Sequence, residues 1–318
     1  MSKFISLFLF LYVINLTSGQ EIKIQPVFPE IIKGFPTVRD FTISPNQMEA
    51  YFTMQGYNGE LSTIIRLKKE NEKWSGPEVA PFSGTYTDLE PMFSPDGLKL
   101  FFVSNRPLKE SDTVAKDQDI WYIERLSEIS EWSKPKNLGT PVNTEGDEFY
   151  PSIASNGNLY FTSTGKGTKG KDDIFMSQWN KGKYLPPVSL SSAINTEGFE
   201  YNAYIAPDES YLIFGGYQRQ DGQGSGDLYI SIKNKEGIWL QSENLTAINS
   251  DKMDYCPYYD LNTNTLYFTS KRSDLPSEFD KRHTLREILE VHSLYQNGLS
   301  RIYSVKINLN KNTNYETP

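Results

Sequence analysis

The side chains with the means for chemistry are carboxylates, arginines and tyrosines, and they recur at matched positions. Asp88 and Glu90, Glu148 and Tyr150, Glu200 and Tyr201, and Asp254 and Tyr255 each stand at the start of an apolar run. Arg106, Arg219 and Arg272 each follow a second apolar run further on. Gathered on one surface, acids, guanidinium groups and phenols can hydrogen-bond to and stack on a polar ligand such as a sugar or peptide. Carboxylates from different repeats, about 5 to 9.5 Å apart across a glycosidic bond, would instead cleave it; Glu148, Glu200 and Asp254 are the candidates. A structural reading stands beside both: an acid near a strand start caps backbone, and arginines pair with such acids across repeats.

Other chemistry is thin. Two histidines leave no room for a His-rich metal centre, and one cysteine excludes an internal disulfide framework. Asp119, Asp173 and Asp227 recur at one repeat position, and a residue demanded by every repeat fits loop or strand backbone better than one metal ion. Residues 165–170 are glycine-rich and basic but lack the spacing and hydroxyl of a phosphate loop, so they read as a flexible loop. No metal or cofactor is expected. A net charge of −8, from 40 acidic against 32 basic residues, argues against a nucleic-acid groove.

The elements that position these groups repeat five times along the chain. A strand enters a tight turn at residues 40–46, 90–96, 150–156, 202–208 and 256–262, each ending in Asn or Asp. Aromatic strands follow at 50–52, 100–102, 159–161, 212–214 and 266–268, which makes hairpins. Third strands lie at 62–65, 119–122, 173–176, 227–230 and 301–304. A weaker, proline-containing fourth segment begins near Trp74, Trp132, Tyr184 and Trp239, as suits an edge strand. The tryptophans read as packing between blades. Four strands per repeat, stacked radially, predict an all-β five-bladed propeller. The fifth repeat lacks its outer strand, and the apolar, proline-interrupted residues 22–36 are expected to supply it and close the ring.

At 318 residues and 37% hydrophobic content the chain has a real core, and it reads as a signal peptide over 1–19 followed by one domain over 20–318. Lys3, an apolar stretch over 4–14 and small residues before Gln20 carry the export signal; the stretch is short for a membrane span, and no later one approaches that length. The expected location is periplasmic or secreted, with no transmembrane segment after cleavage, and Cys256 is expected to be buried. Within 271–298, Leu285, Ile288, Leu289 and His292 recur at helical spacing and predict a short amphipathic helix across the top face, a candidate lid or partner contact; His283 and His292 read as solvated there.

The turn Ser94, Pro95, Asp96, Gly97, the run to Arg106, the strand Asp119, Ile120, Trp121, and Trp132 with Pro135 and Asn137, Leu138, Gly139 resemble the WD40-like PD40 repeat of TolB-like propellers. The resemblance spans roughly residues 38–307, with degenerate copies at 154–157 and 260–263. It implies an exported bacterial propeller used mainly for binding, without naming a ligand. The leading expectation is a non-catalytic propeller that binds a protein, peptide or glycan of the cell envelope through its top face. The alternatives are a carbohydrate-active enzyme, a glycoside hydrolase or polysaccharide lyase, and a structural propeller in a larger envelope assembly.

Overall fold

Each repeat folds locally because its turn residues bond their own backbone. In the computed structural model, which describes residues 22–109, 111 and 114–309, Asn46, Asp96, Asn156 and Asp208 each accept the N–H two residues on. In the fifth repeat Asp260, and not the expected Asn262, accepts that bond, because its carboxylate stands where Ser44 and Ser94 hold the equivalent turns. The signal-peptide residues lie outside the described part. Among the described residues no helix is long and apolar enough to cross a membrane.

The hairpins extend into five four-stranded antiparallel blades. Their innermost strands are Thr37–Ile43, Asp88–Phe93, Glu148–Ile153, Phe199–Ile205 and Asp254–Asp260. Second strands are Glu49–Gln55, Lys99–Ser104, Leu159–Ser163, Tyr211–Tyr217 and Thr265–Ser270. Third strands are Ser62–Glu70, Asp119–Glu124, Asp173–Ser177, Gly226–Ile232 and Arg301–Lys306. The outer strands are two-residue bridges placed a few residues after the aromatics that announce them. The residue after each aromatic does donate its N–H back: Ser75, Ser133 and Leu240 to the third strand, and Leu185 to Gln178 just beyond it. Prolines follow in the first three blades, and a residue without an N–H cannot continue the ladder, so regular pairing resumes only beyond them.

The N-terminal segment closes the ring. Gln25 and Pro26 pair antiparallel with Ser304 and Tyr303, the N–H of Val27 donates to the Ile302 carbonyl, and Val27 and Ile32 are buried. The core is divided among five apolar clusters, one per seam between blades. Tyr51 and Ile64, for instance, meet Phe93 and Phe102, and Tyr160 and Ile174 meet Leu212 and Phe214. Of the predicted packing tryptophans, Trp239 sets its edge against Tyr160 of the preceding blade.

Asp173 accepts the N–H groups of Lys169 and Gly170, and Asp227 those of Gln223 and Gly224. Asp119 instead takes Lys116 and the Asn137 amide. The insertion in the last blade contains the helix Leu285–His292, started by Thr284 and Glu287 bonding reciprocally to each other's backbone N–H. It leaves Leu285 and Leu289 exposed, and Tyr295 behind it ties the insertion down by donating to the carbonyls of Val27 and Ile302.

Candidate functional site

Every innermost strand bulges at the same place, where its register with the second strand slips. The bulged residues, Asp40, Glu90, Tyr150, Asn202 and Cys256, all have φ between 47° and 59°. None is glycine, although that region disfavours most side chains. Strained backbone at one position of every repeat is the kind of feature that accompanies function. Hydroxyls of the neighbouring blade stabilise it: the N–H groups of Glu90, Asn202 and Asp40 donate to Thr53, Thr162 and Thr269.

The bulges bring residues far apart in sequence together at the axis. Arg39 donates from Nε to Asp40 (2.7 Å) and from Nη2 to Glu90 (2.6 Å), with the Cys256 sulfur at 3.4 Å. Glu90 also accepts the Tyr150 N–H (2.6 Å) and the Asn202 amide (3.3 Å). Cys256 donates to Asn202 Oδ1 at 3.4 Å, and the Tyr150 hydroxyl donates to the Pro257 carbonyl. All five bulge residues are buried, so the axis is plugged by a polar cluster. Burial pushes the Glu90 carboxyl up to about 7 against the pull of Arg39. It also holds the Cys256 thiol well above its usual range.

Above this plug lies a cavity of about 450 Å³. Arg39, Glu90 and Asn202 line it together with Leu89, Phe149, Phe199, Tyr201, Tyr217, Met253 and Tyr255, and Thr162 and Asp172 complete it. Gly215 and Gly226 make room for Tyr201: a Cβ on Gly215 would stand 2.7 Å from the ring and one on Gly226 2.6 Å from its hydroxyl. Asp172 is half-buried, and its carboxyl is raised by burial and by the neighbouring charges of Asp173, Asp147 and Glu200. A second top-face cleft, of about 1060 Å³, lies between the second and third blades and is lined by Lys116, Asp119, Thr144, Gly165 and Lys166 among others.

Of the residues singled out in the sequence, Glu90, Tyr201 and Tyr255 line the axial cavity, and Tyr150 lies in the plug beneath it. The others form buried clamps further out within single blades. Arg106 binds Asp88 at 2.6 Å, Arg219 binds Glu200 at 3.0 Å and Arg272 binds Asp254 at 2.9 Å. Each guanidinium also donates to a backbone carbonyl, of Phe82, Ile194 or Ile248. Glu148 occupies the same position without an arginine, because Gly165 follows Ser163 where Arg106 and Arg272 follow Ser104 and Ser270. It accepts from the Thr144 N–H and hydroxyl and from Ser163 instead, and burial pushes its carboxyl up to about 7. No residue of the helix Leu285–His292 lines the axial cavity.

Arg39, Asp40, Asn202 and Cys256 were not reached from the sequence as site residues. A second unread signal is Asn143, Thr144, Glu145, Gly146 against Asn195, Thr196, Glu197, Gly198, with Asn249 as a third copy. Each of these asparagines bonds both the N–H and the carbonyl of one third-strand residue, Ile120, Ile174 or Leu228.

These features define an all-β five-bladed propeller with a plugged axis and an aromatic top-face pocket. No family model matches the chain, and no curated protein matches it. Solved structures do. A glycoside hydrolase is 8% identical with TM-score 0.54, over 85% of this chain and 86% of its own. The endo-arabinase of Bacteroides thetaiotaomicron is 15% identical with TM-score 0.49, over 87% and 96%. A TolB described from Agrobacterium tumefaciens is 14% identical with TM-score 0.46, over 73% and 69%. At these identities the likeness is one of fold.

Proposed function

We propose that the chain is an exported, periplasmic or secreted binding propeller of the TolB-like kind, which holds a protein, peptide or glycan of the cell envelope in its top-face axial pocket without chemistry. The observation that carries this reading is the pocket itself. It is roomy and five of its twelve lining residues are aromatic, while the carboxylates further out are committed to Arg106, Arg219, Arg272 or the Thr144 loop. Ligands that bind only the folded state raise the thermal midpoint. Midpoints measured against cell-wall peptides and oligosaccharides are therefore expected to rise for a ligand and to lose that rise in Tyr217→Ala, which removes one pocket wall. A rise that survives this variant places the ligand elsewhere and overturns the reading.

The alternative, a carbohydrate-active enzyme, would draw on Glu90, which lines the pocket with its carboxyl raised by burial while Arg39, Asn202 and the Tyr150 N–H hold its two oxygens. That reading predicts cleavage products after incubation with a binding oligosaccharide, and full recovery of intact oligosaccharide rejects it.

A further inference from the structure

The axial pocket joins aromatic walls to a surplus of acid. Asp40 and Glu90 divide one guanidinium between them, and the second carboxylate oxygen of Asp40 is buried with no partner. On the wall the half-buried Asp172 carboxylate forms no ion pair among the described residues, and the Tyr201 hydroxyl is buried and unpartnered. Lys171 holds its ammonium 5.0 Å from the centre of the Phe199 ring, which lines the same cavity. The chain thus already seats one amine of its own on the aromatic wall, in the geometry in which a ring face attracts a cation. Leu89, Phe149 and Met253 offer nothing to hydroxyls around a sugar ring but suit a hydrocarbon stem.

We propose that this pocket receives a protonated amine on an apolar stem, as a lysine side chain of a peptide presents it, with Asp172 as its counterion and Phe149, Tyr217 and Tyr255 around the stem. This rests on the binding reading above and names what is bound. A lysine side chain fits within about 450 Å³, and the same cavity offers it both a carboxylate and aromatic faces.

The test is calorimetric titration of the purified chain with Nα-acetyl-lysine amide, its Nε-acetylated neutral counterpart, glucosamine and glucose, with Asp172→Asn in parallel. Binding of the free amine is expected, at least tenfold weaker for the acetylated form, tenfold weaker in Asp172→Asn, and weakened by added salt. Equal binding of the two lysine derivatives, or unchanged affinity in Asp172→Asn, overturns the amine assignment. So does a preference for either sugar, but if Tyr217→Ala abolishes the sugar binding, the binding-propeller reading survives. If none of the probes binds while an oligosaccharide is cleaved, both fall.

Discussion

Glu148 shows what one missing side chain does to a buried charge. Where Asp88, Glu200 and Asp254 each hold an arginine, Glu148 faces Gly165, and its carboxyl is pushed up to about 7 by burial. In the unfolded chain a glutamate titrates near ~4.3. Between these two values the folded state binds the extra proton, so this residue makes stability fall as pH rises through that window, with the full penalty above about 7. Glu90, raised for the same reason, adds to the same slope. Glu148→Gln is expected to flatten part of it. Its amide oxygen keeps the Thr144 N–H, while the Thr144 and Ser163 hydroxyls turn to accept from its NH₂. Gly165→Arg goes further, because the Gly165 N–H already donates to Ser163 as the N–H groups of Arg106 and Arg272 donate to Ser104 and Ser270. A guanidinium there would draw the Glu148 carboxyl down and reverse the sign of its contribution. Unfolding free energies from thermal melts at acid to alkaline pH should then show both variants more stable than the parent chain at alkaline pH, by about 1–2 kcal/mol, and the difference vanishing toward acid. A Gly165→Arg variant destabilised at every pH would show that the third blade cannot seat the clamp.

At the scale of elements, the third, fourth and fifth blades are joined by close backbone contact at the top of their seams. The loops before the third strands of the third and fourth blades lie on the loop leading into the next blade, and two glycines allow it. A Cβ on Gly170 would stand 2.2 Å from the Gly198 carbonyl oxygen, and one on Gly224 only 1.6 Å from that of Lys252. Both obstacles are backbone and cannot swing aside. Gly224→Ala should therefore separate the fourth and fifth blades locally and cost about 2–3 kcal/mol, read as a fall in thermal midpoint. Gly76→Ala, with nothing within 4 Å of its Cβ, should change it little. Blade count and ring closure were legible in the sequence because turns and aromatic strands carry residue signatures: Asn and Asp bond their own backbone, and Leu-Phe strands fill the seams. The centre of the site was much less so. The bulge holds Asp, Glu, Tyr, Asn and Cys in turn at one backbone position, so no residue type marks it. Arg39 becomes a neighbour of Glu90 only once the first two blades stack, and of Cys256 only once the ring is closed. The acids that did stand out by spacing, Asp88, Glu200 and Asp254, recur because three of the five blades use the same arginine clamp.

The whole molecule depends on closure of that ring. Arg39 and Asp40 belong to the first blade and Cys256 to the last, so the polar plug spans the same join that the N-terminal strand secures on the outside. Without residues 22–32, the strand Arg301–Lys306 would become a free edge, and Ile32, fully buried beside Val38 and Ile302, would leave a void. An exposed edge pairs with other chains, and the loss of a buried isoleucine alone costs about 2–5 kcal/mol. Deleting residues 22–32 is therefore expected to lower the thermal midpoint and to produce concentration-dependent association in sedimentation velocity. Because the plug crosses the join, the same deletion should loosen Arg39 from Cys256 and make that thiol, otherwise buried, react with a thiol reagent under native conditions. A deleted chain that stays monomeric, keeps its midpoint and shields Cys256 would mean that the apolar seam between the first and last blades holds the ring without the outer strand.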